Sequence, residues 1–379
     1  MRIGRWWSLL ACGLLACSQR GPESNAGGRD AGGGPDASGS GWSVQRAANQ
    51  PTLWAVGAAG ADLYVVGSAG TVLRSNDSGA TWSSVGVAAT DAGVAVDNYP
   101  SFRAFAATAE DDVWIAGMSR TAGLLLHSAD RGASWQPVDF GSTSTLNGVW
   151  AFDRLTVLVT THDGQILKTA DGGAHWTAVF GDAELVLFRL WAAAGAVYAV
   201  GGRYAAGADA GTSSSPALTG EVLRSSDAGD SWQTVVAGAP GQLWSVWGTP
   251  DGASVTAAGN SGTVVSTTEH VTSWTTSGAP SSGADFQISG VWVSPRGTSY
   301  FLPSGRRFPT DPAAGGNPRI CTSVSVSQEG AAGVILTSTG GCQVLPPDRG
   351  AYASAQGVWG TGDDDIWVVG ASGFIWHGP

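Results

Sequence analysis

The chain is poor in charge and contains almost no lysine. Charged residues make up 13% of its 379 residues, and Lys168 is the only lysine. The net charge is −11 at pH 7, so the chain lacks the basic surface with which nucleic-acid-binding proteins displace counterions. The low charge density also excludes a coiled coil and a charge-rich disordered chain.

Residues that carry metal or cofactor chemistry are scarce. The five histidines are dispersed, no side-chain spacing fits a metal site, and no phosphate-binding glycine loop is present. We therefore expect no metal and no cofactor, which argues against a dehydrogenase, a kinase or a metalloenzyme. The abundant residues are glycine, with 57 copies, and tryptophan, with 18, a composition that favours a turn-rich β protein.

The first 41 residues predict an export signal and a tether. Residues 1–16 carry two arginines followed by an apolar run, the pattern of a secretory signal peptide. The run ends at Leu14-Leu15-Ala16-Cys17, which resembles the bacterial lipobox. This resemblance implies cleavage before Cys17 and lipid attachment to its sulfur; the alternatives are an ordinary secretion signal or lipidation at Cys12. The rest of residues 17–41 has no large apolar side chain and predicts a flexible, glycine-rich tether.

The cell envelope is the predicted location. Ser18, rather than an aspartate, follows Cys17, which in the lipoprotein pattern favours the outer membrane, with the domain facing the periplasm or the cell surface. No later segment is a candidate membrane span, so we expect the lipid alone to attach the protein to the membrane.

An eight-residue motif, Ser/Thr-x-Asp-x-Gly-x-x-Trp, recurs four times at intervals of 41 to 56 residues. Its aspartates are Asp77, Asp130, Asp171 and Asp227, and a decayed fifth copy ends at Trp274. An aspartate that accepts backbone N–H groups, followed by a glycine with positive φ, suits a tight turn between strands. The motif resembles the Asp-box, or BNR repeat, of sialidase-like and related β-propellers. That resemblance implies that the four aspartates are structural and lie away from a central channel.

Short apolar strands surround each motif, and four strands per repeat predict the blades of a β-propeller. Seven such units fit residues 42–379, of which the sixth is overlong and the last lacks an outer strand. An inner strand opens each unit and carries a tryptophan, such as Trp150, in five of them; Phe105 and Val56 occupy the equivalent places in the other two. The segment Gly41–Gln45 matches the strands that follow the motif tryptophans. We therefore predict an all-β, seven-bladed β-propeller of four-stranded antiparallel blades, with an N-terminal strand at residues 42–46 that closes the ring.

Two longer runs resemble particular propellers. The run from Leu146 to Trp176 is similar to the photosystem II assembly-factor type, and the run from Gly357 to Gly370 is similar to a unit in lipoproteins of GC-rich δ-proteobacteria such as myxobacteria. The first type is an assembly scaffold, so the resemblance implies a non-catalytic role. It does not transfer a photosynthetic function, because fold alone does not fix function.

The two cysteines beyond the signal and tether, Cys321 and Cys342, both fall in the sixth unit. In an oxidising envelope we expect them to form one disulfide. The bond would strengthen a blade that has no Asp-box. A catalytic thiol or a metal pair is the alternative, and it would need a nearby histidine.

Long insertions fall between the second and third strands of a unit and between successive units. In a propeller these connections share one face, called the loop face below, and binding sites evolve on such loops. Arginines there suit carboxylates or other anions, which they bind in a bidentate manner; the alternative is that they are only solvated. The candidate binding residues are Arg103, Arg120, Arg203, Tyr204, Arg306, Arg307, Arg319 and Arg349.

We predict a monomer that binds a protein or carbohydrate partner of the cell envelope on the loop face, without catalysis. The alternative is a sialidase-like exo-glycosidase. That family has an Arg-Ile-Pro-type motif. The segment Phe102-Arg103-Ala104-Phe105 resembles this motif but lacks the proline. Other glycosidases need two opposed carboxylates. On the loop face these would have to come from Asp97, Asp285, Asp311 or Asp348.

Overall fold

In the computed structural model, the described residues form β-strands and turns, one short 3₁₀ turn at Ala371–Gly373, and no α-helix. No helix in this part of the chain is therefore long and apolar enough to cross a membrane. The described residues are 42–46, 51–86, 100–120, 122–204, 218–268, 273–277, 287–304, 334–338, 342–344 and 354–378.

The strands of the first half of the chain are β1 (Ser43–Arg46), β2 (Leu53–Ala59), β3 (Asp62–Gly67), β4 (Val72–Ser75), β5 (Ser83–Ser84), β6 (Ser101–Ala109), β7 (Asp112–Met118), β8 (Gly123–Ser128), β9 (Gln136–Pro137), β10 (Leu146–Ala151), β11 (Val157–Thr161), β12 (Gln165–Thr169) and β13 (Thr177–Gly181). Those of the second half are β14 (Leu185–Ala193), β15 (Ala196–Tyr204), β16 (Leu218–Ser225), β17 (Gln233–Ala239), β18 (Leu243–Gly248), β19 (Ser254–Gly259), β20 (Val264–Thr268), β21 (Thr275–Ser277), β22 (Gln287–Val293), β23 (Ser299–Ser304), β24 (Val334–Thr337), β25 (Cys342–Val344), β26 (Ala355–Gly362), β27 (Asp365–Gly370) and β28 (Ile375–Gly378).

These strands pair into seven four-stranded antiparallel sheets. Sheets 1 to 6 each take four consecutive strands, beginning with β2, and sheet 7 has the order β26-β27-β28-β1. Side chains are described on all four strands of six sheets, whereas β24 and β25 of sheet 6 are described mainly by their backbone. The prediction of an all-β propeller with four-stranded antiparallel blades is confirmed.

The first strand of each sheet lines a central channel. Each of these inner strands contacts the inner strand of the next sheet, and β26 of sheet 7 contacts β2 of sheet 1. Residues from all seven inner strands line one channel of about 230 Å³. The sheets therefore surround the channel completely.

The chain's N-terminal and C-terminal strands meet in sheet 7. β1 is the outer strand of this sheet and pairs with β28, with Ser43 opposite His377 and Val44 opposite Trp376. Trp42 is 1% exposed, and a Cβ added to Gly378 would lie 2.5 Å from its indole ring. The glycine therefore allows the Trp42 ring to lie directly on β28.

Apolar clusters fill the spaces between neighbouring sheets. Between sheets 1 and 2, for example, Tyr64, Phe102, Ile115 and Trp135 are buried together. Second strands are the most buried, because neighbours cover both their edges and both their faces, and all six residues of β3 are buried. This burial explains why they read in the sequence as continuous apolar runs.

The strand register corrects one detail of the predicted repeat. The sequence places Phe105 and Val56 level with Trp150 of β10. In the structure, Ala106 is the residue of β6 that is equivalent to Trp150, and it pairs with Trp114 of β7. Phe105 and Val56 each lie one residue before the equivalent position. In sheet 2 the large aromatic ring is thus supplied by the second strand rather than by the inner strand.

Candidate functional site

The two ends of the sheets carry different connections. The turns from first to second strand and from third to outer strand lie at one end, because the sheets are antiparallel. The turns from second to third strand and the links between sheets lie at the other end, the loop face. The Asp-box motifs connect third and outer strands, so they are on the face opposite the loop face.

Each Asp-box forms the same hydrogen-bonded turn. In sheet 1 the Asp77 carboxylate accepts the Thr81 backbone N–H at 2.8 Å and the Thr81 hydroxyl at 2.6 Å. The Ser75 hydroxyl donates to Asp77 at 2.7 Å and accepts the Gly79 N–H at 2.8 Å. Equivalent bonds form around Asp130, Asp171 and Asp227.

These hydrogen bonds lower the pKa of all four Asp-box carboxyl groups, because they stabilise the charged form. The glycine of each turn lies against the preceding sheet. A Cβ on Gly79 would lie 1.9 Å from Trp367 of sheet 7, and one on Gly229 would lie 2.8 Å from Leu158 of sheet 3. The Asp-boxes therefore join neighbouring sheets and lie away from the loop face.

A β-bulge occurs near the start of every inner strand, at the loop-face end of the channel. Each bulge inserts one residue that has no partner on the second strand. This adds one residue per sheet at the loop-face end of the inner strands, and three of the seven, Trp54, Ser289 and Gln356, line the channel. The seven bulge residues are Trp54, Arg103, Asn147, Phe188, Trp244, Ser289 and Gln356.

The residue after each bulge lines the channel, and six of the seven are small. Arg189 occupies this level in sheet 4 and is the only charged residue of the described channel lining. The small residues at the same level leave space in front of its guanidinium. They are Ala55, Ala104, Gly148, Ser245, Gly290 and Gly357.

Asn147 links three sheets beside this arginine. Its side-chain oxygen accepts a hydrogen bond from Arg103 Nη1 at 3.0 Å, and its Nδ2 donates to the Leu187 carbonyl at 2.8 Å. Its Nδ2 also lies 3.5 Å from Nδ1 of His162, in the turn after β11. Arg103 in sheet 2 is thereby held next to the strand that carries Arg189.

The channel mouth is a positive site within an acidic protein. Burial and the nearby charge of Arg103 lower the pKa of Arg189 to about 10. Burial also lowers the pKa of Arg103, and burial together with the Arg103 charge lowers the pKa of His162. Neither Arg103 nor Arg189 has a carboxylate partner among the residues that the structure describes. The site is thus suited to bind a negative group.

Arg203 is engaged in a salt-bridge network, which argues against its predicted role as a free anion ligand. It donates from Nε to the buried Glu221, from Nη1 to Glu184 at 2.9 Å and from Nη2 to Asp182 at 2.8 Å. These carboxylates raise the pKa of Arg203. Its guanidinium holds the end of β15 to its neighbours and is already neutralised.

The remaining candidate residues are divided between the described and undescribed parts of the chain. Tyr204 is half-buried at the end of β15, and Arg120 is exposed just beyond β7. Arg306, Arg307, Arg319 and Arg349 lie outside the described residues, as do Cys17 and Cys321, and Cys342 is described only by its backbone in β25. The candidate carboxylates of the glycosidase alternative also lie outside the described residues: Asp97, Asp285, Asp311 and Asp348. Within the described ranges, no three His, Cys, Asp or Glu side chains are grouped as metal ligands.

Arg189, Asn147 and His162 were not among the predicted site residues. A signal for Arg189 is nevertheless present in the sequence. Five inner strands contain a tryptophan, and the residue two positions before it is Gly, Arg, Ser, Gly and Gly in sheets 3 to 7. The arginine departs from this small-residue pattern.

Comparison with known proteins finds one family model that matches part of the chain. Residues 36–215, slightly less than half of the chain, match the family described as photosynthesis system II assembly factor YCF48. The fold is similar to YCF48 from Cyanidioschyzon merolae, with a TM-score of 0.61 and 13% identity over 89% of this chain and 98% of that one. No curated protein sequence gives a significant match.

Two further solved structures have this fold. YCF48 bound to D1 peptide gives a TM-score of 0.60 and 15% identity over 89% of this chain and 96% of that one. The GH74 xyloglucanase from Xanthomonas campestris gives 0.61 and 17%, and the match covers 88% of this chain but 52% of the enzyme. At these identities the likeness is one of fold. The chain is a BNR-type β-propeller similar to the photosystem II assembly factor.

Proposed function

We propose that this chain is a non-catalytic, seven-bladed propeller that binds a protein partner on its loop face, over the mouth of the channel. The observation that carries this proposal is the pair of half-buried arginines, Arg103 and Arg189, which have no carboxylate partner among the described residues. A structural neighbour, YCF48, binds a D1 peptide, which supports a peptide segment as the kind of partner.

The geometry of the mouth favours binding over hydrolysis. A glycosidase of the common type needs a pair of opposed carboxyl groups about the scissile bond. The channel lining, as far as it is described, contains Arg189 as its one charged residue and no carboxylate. A rigid ring of strands with an arginine pair at its centre suits recognition of an acidic or carboxylate-bearing segment.

We also propose that the protein is an outer-membrane lipoprotein of the cell envelope. The lipobox-like Leu14-Leu15-Ala16-Cys17 and the glycine-rich residues up to 41 support this location. Metabolic labelling with a fatty-acid analogue should mark the wild-type chain but not Cys17→Ser. The variant should also leave the membrane fraction, and its retention there at the wild-type level would contradict the anchor.

Site-specific photo-crosslinking in the cells that produce the protein tests the binding face. A photoreactive phenylalanine analogue replaces Tyr204 on the loop face or, as the matched control, Leu155 on the opposite face, where it is 57% exposed. We expect a protein adduct of defined mass from position 204 only. Equal adducts from both positions, or none from position 204, would refute the proposed face.

Turnover measurements separate binding from catalysis. The purified protein is incubated with xyloglucan oligosaccharides and with fluorogenic glycosides that include a sialoside. We expect no product above the no-enzyme control. Product that disappears in a loop-face variant such as Arg103→Gln would instead identify a glycosidase.

A further inference from the structure

Arg189 is the one charged residue of the described channel lining. Two half-buried arginines elsewhere have carboxylate partners: Arg74 donates to Asp62 at 2.7 Å, and Arg203 contacts three acidic residues. Arg189 has no hydrogen-bond or salt-bridge partner within the described part of the chain. It lines the channel, and its charge is close enough to that of Arg103 to be destabilised by it.

An uncompensated guanidinium in a narrow channel is unfavourable, because burial removes water from the charge. Both burial and the charge of Arg103 lower the pKa of Arg189 to about 10. A bound anion would offset both effects. No packing requirement explains an arginine at this level, since the other six sheets form the ring with Ala, Gly or Ser.

The walls of the channel restrict what kind of anion fits. Beyond the level of Arg189, the lining is apolar and includes Val149, Leu190, Val246 and the half-buried rings of Trp247 and Trp359. Cavities of about 150 Å³ hold benzene, so a channel of about 230 Å³ accommodates a small ring or branched alkyl group with an attached acid group. Sulfate and phosphate suit these apolar walls less well, because they are hydrated on all sides.

We propose that Arg189 anchors a carboxylate-binding site inside the central channel, which takes a monocarboxylate with an apolar body. The guanidinium binds the carboxylate, Arg103 adds positive charge at the mouth, and the apolar body lies among the inner strands. Two sources supply this chemistry, a free small acid and the C-terminal residue of a peptide. The site goes beyond the proposed function because a free acid fills it without any protein partner.

Calorimetric titration of the full chain tests the site with two pairs of probes. The first pair is phenylacetate and its neutral analogue phenylacetamide. The second pair is the peptide N-acetyl-Ala-Ala-Phe with a free C-terminal carboxylate and the same peptide as its amide. A hydrogen bond to a charged group contributes about 1.5–3 kcal/mol, so we expect an acid to bind about tenfold or more tightly than its amide.

Three variants identify the residue responsible. Arg189→Met keeps the bulk of the side chain without its charge and should abolish the preference for the acid, whereas Arg189→Lys should keep part of it. Arg296→Gln, which removes an arginine that is 85% exposed on the opposite face, should bind like the wild type. Circular dichroism and thermal unfolding confirm that each variant is folded.

The outcomes are distinct. Binding of phenylacetate supports a free acid as the source, and binding of the free peptide alone assigns the site to a chain terminus. Equal binding of acids and amides, an unchanged preference in Arg189→Met, or no binding of either acid up to about 10 mM would overturn the carboxylate site. If the carboxylate site is overturned in this way but position 204 still gives a protein adduct, the proposed binding of a protein partner holds and only the carboxylate site is refuted.

Discussion

Arg103 of sheet 2 donates a 3.0 Å hydrogen bond to Asn147 of sheet 3, and Asn147 in turn donates at 2.8 Å to the Leu187 carbonyl of sheet 4. The amide is 3% exposed, so water does not compete for either bond. Because an amide side chain offers both an acceptor and a donor, Asn147 can connect a cation to a backbone oxygen. It orients Arg103 at the channel mouth and also ties β10 to β14.

Replacing Asn147 by alanine should therefore weaken both the fold and the orientation of Arg103. Loss of a buried amide that makes two hydrogen bonds costs about 1–3 kcal/mol. We expect this decrease in the free energy of unfolding, measured with urea. Asn76→Ala, which changes an exposed asparagine in the first Asp-box turn, is the control and should change stability by less than about 0.5 kcal/mol. Equal effects of the two substitutions would contradict the bridging role.

Arg203 should behave as a structural residue and not as a ligand of an anionic partner. Arg203→Met leaves Glu221, whose side chain is 4% exposed, without its cation. Removing one partner of a buried ion pair costs about 3 kcal/mol or more, so urea should unfold the variant at a lower concentration. The double variant Arg203→Met with Glu221→Gln should recover part of this loss. If Arg203→Met keeps wild-type stability, the network does not support the end of β15.

The sequence predicts the propeller because the Asp-box turns and the apolar second strands repeat with every unit. It does not reveal that Arg203 is neutralised, because Asp182, Glu184 and Glu221 come together only when β14, β15 and β16 pair. The bulges cannot be recognised in the sequence either, because one extra residue does not interrupt the apolar pattern of so short a strand. As a result the repeat pattern places Phe105 one position away from its true level and does not assign Arg189 to the channel.

Gly79 should be essential for the contact between sheets 1 and 7. Its φ is +84°, and a Cβ there would lie 1.9 Å from the Trp367 ring. Gly195 has a similar φ of +80°, but a Cβ there would have no neighbouring atom within 4 Å. Gly195→Ala should thus cost only the backbone strain, about 1–2 kcal/mol. Gly79→Ala should lower the melting temperature clearly further, and matching decreases would show that the steric contact is unimportant.

The disulfide expected between Cys321 and Cys342 remains a prediction. Protein isolated without reductant should lack free thiols at both positions, and a peptide pair joined by the bond should appear in the mass spectrum before reduction. Closing a loop of this kind stabilises a domain by about 3 kcal/mol, so a reductant should lower the melting temperature. Alkylation of both cysteines in unreduced protein would exclude the bond.

The Asp-boxes should make the fold sensitive to acid in a defined pH range. Hydrogen bonds from the backbone and the ring of His175, and from Thr169, lower the pKa of Asp171 from 3.8 to about 2. A carboxyl group with a lower pKa in the folded state stabilises the fold above its unfolded-state pKa, and this contribution is lost as the pH falls through the folded-state pKa. Stability should therefore decrease between about pH 4 and pH 2 as Asp171 and its counterparts take up protons.

The variant Asp171→Asn isolates this contribution, because asparagine cannot ionise. We expect it to be less stable than the wild type near pH 6, where the wild-type carboxylate is charged and holds the turn. The difference in the free energy of unfolding should shrink as the pH approaches about 2, where the wild-type group is increasingly protonated. Urea unfolding of both proteins between about pH 6 and pH 2 measures this difference. A difference that stays constant with pH would mean that the charge of Asp171 does not contribute to the turn.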